Sequence, residues 1–193
     1  MANFDLAYNI TKEFEGGYSN DPDDAGGETY KGVARKFNPT WDGWIIIDDI
    51  KNKFPSDFKD KLDITILNEK VFSYYKIMYW DKFQGDVIHN QEIANELFDN
   101  AVNMGVNRSV TFLQKSLNVL NRNQKNYNDI TEDGSFGNNT LKTLTIFLNK
   151  DKPSLLLKVI NILQGMHYIN YMTKRPSQEK FARGWLRRVK LWY

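Results

Sequence analysis

Phe14-Glu15-Gly16-Gly17-Tyr18-Ser19-Asn20-Asp21-Pro22-Asp23-Asp24-Ala25-Gly26-Gly27-Glu28-Thr29-Tyr30-Lys31-Gly32-Val33 is the stretch that decides the reading of this chain. An acid closes a helical pattern and is followed at once by a glycine-rich, carboxylate-rich excursion. Upstream, Phe4, Leu6, Ala7, Ile10 and Phe14 recur at the three- and four-residue spacing of a buried helix face. Asn3 is placed to cap that helix, because a short polar side chain accepts from the exposed amides of a first turn. Gly16 and Gly17 end it, since glycine reaches the left-handed conformation of a C-cap without steric cost. Glu15 is thereby expected on or near the last helical turn, at the root of a polar hairpin.

Position gives that glutamate a chemistry. The negative end of the helix dipole disfavours an ionised carboxylate, and burial against Phe14, Tyr18 and Tyr30 would add to the effect. A glutamate kept protonated near neutral pH is what a general acid requires. The plain alternative is a surface glutamate before a glycine cap.

Glu-Gly-Gly-Tyr, Asn-Asp-Pro, Asp-x-Gly-Gly-x-Thr and Lys-Gly-Val resemble the signature of glycoside hydrolase family 108, the bacterial and prophage N-acetylmuramidases. A second part resembles the peptidoglycan-binding-type segment that follows in such proteins. Its pieces are Phe98-Asp99-Asn100-Ala101-Val102-Asn103-Met104-Gly105 with Phe112 to Leu117, the Thr131 to Leu141 turn containing Asp133-Gly134 and Gly137, and Phe181 to Val189. The pieces keep their order over nearly the whole chain. There is a looser likeness to phage lysozymes, in which an aspartate follows the catalytic glutamate nine residues on and a threonine about six later. Asp24 stands nine residues after Glu15, and Thr29 stands fourteen after it, one short of that spacing.

The resemblance implies a mainly-α, lysozyme-like bilobal helical fold with a small β-hairpin next to the catalytic glutamate. It implies a muramidase segment over residues 1–93 and a peptidoglycan-binding-type segment over 94–193, packed into the same fold. The implied reaction is cleavage of the β-1,4 bond between N-acetylmuramic acid and N-acetylglucosamine. Glu15 would be the acid, Asp24 the second carboxylate with Asp21 or Asp23 as substitutes, and Thr29 the holder of the attacking water. Asp21, Tyr30 and Asn103 are expected to contact substrate. The expected partner is the peptidoglycan glycan strand; no cofactor, nucleic acid or stable membrane insertion is expected, and the chain is expected to be a monomer. Three alternatives stay open: a lytic transglycosylase, a non-catalytic wall-binding module, and an accessory factor of protein export.

Composition agrees with this. The 193 residues suffice for one or two cores, and the absence of cysteine excludes disulfides and thiolate metal sites. The start Met-Ala-Asn-Phe-Asp-Leu has neither the basic run nor the apolar core of a signal peptide. Synthesis in the cytoplasm is therefore expected, with release to the wall by a holin pore, lysis or a secretion system. The net charge of +2 is unevenly spread: from Lys174 onward seven basic residues face Glu179, giving +6 there and −4 before it. Such a tail suits an anionic polymer, but Trp185, Leu186, Val189, Leu191 and Trp192 alternate with the charges, which favours an amphipathic terminal helix docked by its apolar side.

Elsewhere the apolar spacing predicts helices around Val71–Tyr79, Ile93–Val102, Val110–Leu120, Leu141–Leu148 and Leu155–Met172, with Gly105 closing the second of these and Pro153 opening the last. Residues 174–180 read as a linker, and 38–58 as irregular. Asp21 to Gly26 and Asp129 to Gly134 each begin like a calcium loop, but Gly32 and Thr140 stand where the bidentate glutamate belongs, so both read as turns with capping aspartates. His89 and His167 stand apart and make no zinc site.

Overall fold

A computed structural model describes residues 1–12, 17–21 and 27–190. The architecture is mainly α and lysozyme-like, with one small antiparallel sheet, as the sequence implies. The chain forms two compact units, residues 8–78 and residues 1–7 with 79–193. No helix among the described residues is long and apolar enough to cross a membrane.

Helix α1 (Phe4–Thr11) begins where Asn3 Oδ1 accepts from the Leu6 amide at 3.3 Å. Three strands follow in the order β1 (Tyr18–Asn20), β2 (Glu28–Tyr30) and β3 (Val33–Ala34), each antiparallel to the next. Tyr18 pairs with Tyr30, Ser19 with Thr29 and Asn20 with Glu28; Tyr30 then pairs with Val33. The β2–β3 loop is thus two residues, Lys31 and Gly32, both with positive φ (42° and 79°). That is the turn whose twist matches a hairpin, and it seats glycine readily and lysine only under constraint. The constraint is present: the Lys31 amide donates to the Gly17 carbonyl, and its own carbonyl accepts from the Tyr75 hydroxyl.

The stretch 38–58 is not irregular. It contains helix α2 (Gly43–Lys53), with Trp44 and Ile47 buried and Ile45 exposed. Three consecutive isoleucines blur the helical period and favour strand by propensity. Packing decides otherwise: Trp44 Nε1 donates to the Asn38 carbonyl, and the Arg35 guanidinium lies 4.5 Å from its ring centroid. Helix α3 (Thr65–Tyr75) buries Leu67, Val71 and Tyr75 and runs on into a π-helical turn, Lys76–Trp80.

The larger unit is built on α4 (Gln91–Met104), α5 (Val106–Val119), α6 (Asn138–Leu148) and α7 (Pro153–Lys174). Asn90 caps α4 by accepting from the Ile93 amide, Gly105 closes it at φ 87°, and Pro153 sits in the first turn of α7. Trp80 is fully buried among Phe4, Phe83 and Phe98, its ring centroid 5.4–6.0 Å from theirs, while its Nε1 donates to Asp86. The Asp133 carboxylate accepts from the Ser135 amide and from Gln114, so it caps a turn.

The expected linker is wound into a 3₁₀ segment, Pro176–Phe181, followed by a short helix α8 (Ala182–Leu186). The terminal segment docks by its apolar side, with Trp185 stacked on Tyr168 at 5.4 Å and Val189 against Gly165. The helix ends at Leu186, and beyond it Arg188 pairs with Asp99 at 2.6 Å, both side chains largely buried. Leu191 and Trp192 lie outside the described residues.

Candidate active site

Glu15 and Asp24, the two expected catalytic carboxylates, lie outside the described residues, as does Asp23. What the structure gives is the frame around them. In the sequence Glu15 precedes β1 by three residues, and Asp24 lies between β1 and β2. The Glu15 stretch thus runs from the end of α1 to β1 and the Asp24 stretch from β1 to β2, so whatever fixes the sheet fixes one end of the first and both ends of the second.

The sheet is fixed at two points on one face. Alternation puts Tyr18, Asn20, Glu28 and Tyr30 on one face and Ser19, Thr29 and Ala34 on the other. On the first face Tyr30 is 2% exposed and its hydroxyl donates to the Leu62 carbonyl at 2.7 Å. Burial, and then the Asp63 charge, push that hydroxyl up to about 12, so it remains a neutral donor. Tyr30, expected as a wall contact, is a core residue in this arrangement.

Glu28 joins the same face to helix α2. Its carboxylate receives the Tyr18 hydroxyl (2.9 Å) and the Lys51 ammonium, and Arg35 Nε stands 2.9 Å from Oε2 as an ion pair without hydrogen-bond alignment. Arg35 also reaches Asp48 at 2.7 Å. Burial works against the Lys51 ammonium, yet the bonds to Glu28 and Tyr18 outweigh it and hold its pKa above the ordinary value. Burial raises the Tyr18 phenol, with Glu28 adding to the shift and Lys51 opposing it. Sequence reading passed over Glu28, Arg35 and Lys51. One signal was available: Glu28 is two residues from Tyr30, so a strand that buries one faces the other the same way.

On the opposite face Thr29 is half-buried and its hydroxyl donates to the Gly27 carbonyl at 3.1 Å. Its proton is committed to the turn, and its oxygen is left as an acceptor. Asp21 is exposed at the end of β1. Asn103 sits in the last turn of α4, in the other unit, where its amide donates to the Asp99 carbonyl.

Beside the sheet, still within residues 8–78, a cleft of about 750 Å³ opens between the end of α1, the Lys31–Gly32 turn and the first half of α3. Tyr8, Lys12, Lys31, Asn68, Glu69 and Phe72 are among its walls. Lys12 is the last described residue before the segment that carries Glu15.

The chain is mainly α and lysozyme-like, and β1 joins the two acid-bearing stretches of sequence. Comparison with known families makes the assignment: residues 8–105 match the model described as Glycosyl hydrolase 108, and the chain belongs to that family. Residues 108–190 match the model described as "Predicted Peptidoglycan domain". Together these make the chain a peptidoglycan hydrolase by class. Among solved structures it is similar to SagA of Brucella abortus, with 22% identity and a TM-score of 0.65 over 96% of this chain and 88% of that one; this is a likeness of fold. No curated protein matches.

Proposed function

We propose that this protein is an N-acetylmuramidase that hydrolyses the β-1,4 bond between N-acetylmuramic acid and N-acetylglucosamine, with Glu15 as general acid. The observation that carries the reading is the family match over residues 8–105, which spans the Glu15-Gly16-Gly17-Tyr18 run and the whole hairpin behind it. Glycosides resist hydrolysis because an alkoxide is a poor leaving group and the transition state resembles an oxocarbenium ion. Glu15 gives its proton to the departing oxygen. Asp24, with Asp21 as its substitute, orients water or offsets the developing charge. Thr29, held by the Gly27 carbonyl, offers an acceptor oxygen to that water. The protein acts at the wall once a holin pore, lysis or a secretion system has released it.

The test is digestion of purified peptidoglycan by the wild type and by Glu15→Gln, with the fragments identified by mass. Reducing muramic acid ends from the wild type only are the expected result. Anhydro-muramic ends, lighter by one water, would replace this reading with transglycosylation. Equal digestion by both proteins would remove Glu15 from the mechanism.

A further inference from the structure

The cleft beside the hairpin has an aromatic floor and a charged rim. Tyr8 packs edge-on against Phe72 at 5.1 Å and against Tyr75 at 5.7 Å. On one wall Lys31 and Asp63 neutralise each other at 3.0 Å, and Asn68 braces both, accepting from Lys31 and donating to Asp63. The Asn68 and Lys31 contacts hold the Asp63 carboxyl below its ordinary range. That wall is closed upon itself.

Lys12 and Glu69 differ from it. Both line the cleft, both are exposed, and among the described residues neither forms a salt bridge. Lys12 is carried over the Tyr8 ring at 5.8 Å, which steadies it without neutralising it. The cleft thus offers one open cation and one open carboxylate above aromatic faces. A glycan stripped of its peptides carries only the lactyl carboxylate of muramic acid, which pairs with Lys12 and offers no cation to Glu69. A ligand carrying both a carboxylate and an ammonium pairs with each.

In peptidoglycan the part with both charges is the stem peptide, with free carboxylates along its length and a free amine on its diamino acid where it is not cross-linked. We propose that this cleft binds the stem peptide attached to muramic acid, Lys12 receiving a peptide carboxylate and Glu69 the diamino-acid ammonium, so that peptide-bearing strands are preferred over stripped ones. The volume falls in the range of pockets that enclose ligands of this size. The assignment rests on the muramidase reading for its substrate but not for its binding chemistry.

Two measurements on the full chain separate the two readings. The first is calorimetric binding of a synthetic stem tetrapeptide with lysine at its third position, and of the same peptide with the lysine amine acetylated. The second is the ratio of cleavage rates on peptide-bearing strands and on strands stripped by an amidase. The wild type is expected to bind the free-amine peptide about tenfold more tightly than the acetylated one, one charge-assisted contact's worth. Glu69→Gln is expected to lose that distinction, and Lys12→Gln to weaken binding of both peptides. Both variants are expected to bring the rate ratio down towards one. Indifference of the wild type to acetylation, or a ratio of one in the wild type, would overturn the assignment even where glycan is cut. Tetrapeptide binding with no cleavage of either strand would instead remove the muramidase reading and leave the cleft assignment standing.

Discussion

The Tyr30 hydroxyl donates to the Leu62 carbonyl oxygen at 2.7 Å, and this bond ties the hairpin to the segment leading into α3. Both partners are buried, so water is poorly placed to replace the donor. Tyr30→Phe keeps the ring in the core and leaves the carbonyl unpaired. The expected cost is about 1–2 kcal/mol, a fall of roughly 2–8 °C in melting temperature for a chain of this size. The activity of the folded protein should fall as well, because the strand that moves is the one bearing Thr29. A thermal melt and a peptidoglycan assay below the transition check this; an unchanged melting temperature would mean that the hairpin is held by its other anchor.

That other anchor is Glu28, whose carboxylate stands among Tyr18, Arg35 and Lys51 with its side chain 13% exposed. Glu28→Ala leaves the Lys51 ammonium without its carboxylate and Arg35 with Asp48 alone. A buried pair broken this way costs about 3–5 kcal/mol, and the partial exposure of Arg35 and Lys51 reduces that to roughly 1–3 kcal/mol. Glu28→Gln keeps the acceptor for the Tyr18 hydroxyl and should cost less. Denaturant melts of the two variants rank them; a Gln variant as damaged as the Ala variant would show that the charge matters more than the acceptor.

The long helices were legible because their period is clean. Ile93, Leu97 and Ala101 on α4, and Leu113 and Leu117 on α5, are buried at the spacing that predicts them. Asn3, Gly105 and Pro153 mark their ends by the chemistry each residue carries. Helix α2 was hidden because Ile45-Ile46-Ile47 is continuous, and only the burial of Trp44 and Ile47 against their surroundings chooses the helix. The ion cluster was invisible for a different reason. Arg35 lies seven residues from Glu28 and Lys51 twenty-three, and no local period links them. For Tyr30 the sequence offered an aromatic ring next to a polar loop, which suits sugar contact and core equally; the bond to Leu62 is a tertiary fact.

Glu15 and the aspartates after it lead to a graded expectation. If Glu15 is the acid, Glu15→Gln removes the transferable proton with little change in shape, and general acid catalysis is worth about 10²–10⁴-fold. Asp24→Asn should lose less if that carboxylate only orients water, and Asp21→Asn less again. Initial rates on purified peptidoglycan, with a melt for each variant, give the order. A larger loss at Asp21 than at Asp24 would move the second carboxylate to the end of β1.

Glu96 lies in the core of the larger unit, 6% exposed, and burial raises its carboxyl to about 7, with the charge of Asp99 adding to the shift. Asn161, Lys190 and Asn100 oppose it, and Arg188 is spent on Asp99. A carboxyl whose folded pKa lies above its unfolded value binds more protons in the folded state between the two. Its burial therefore costs nothing near pH 4 and an increasing amount from the unfolded value up to pH 7, levelling off above that at about 3 kcal/mol. Asp99 is also raised by burial, against the pull of Arg188, and tilts the balance the same way. Glu96→Gln removes the ionisable group and keeps an amide that can still meet Asn100, whose side chain stands 3.1 Å from Glu96 Oε1 and whose own Oδ1 has no donor among the described residues. The variant should be more stable than the wild type at pH 8 and no more stable at pH 4.5, as read from urea midpoints at each pH. A wild type whose stability does not decline between pH 5 and 8 relative to the variant would mean that burial does not hold the Glu96 carboxyl protonated.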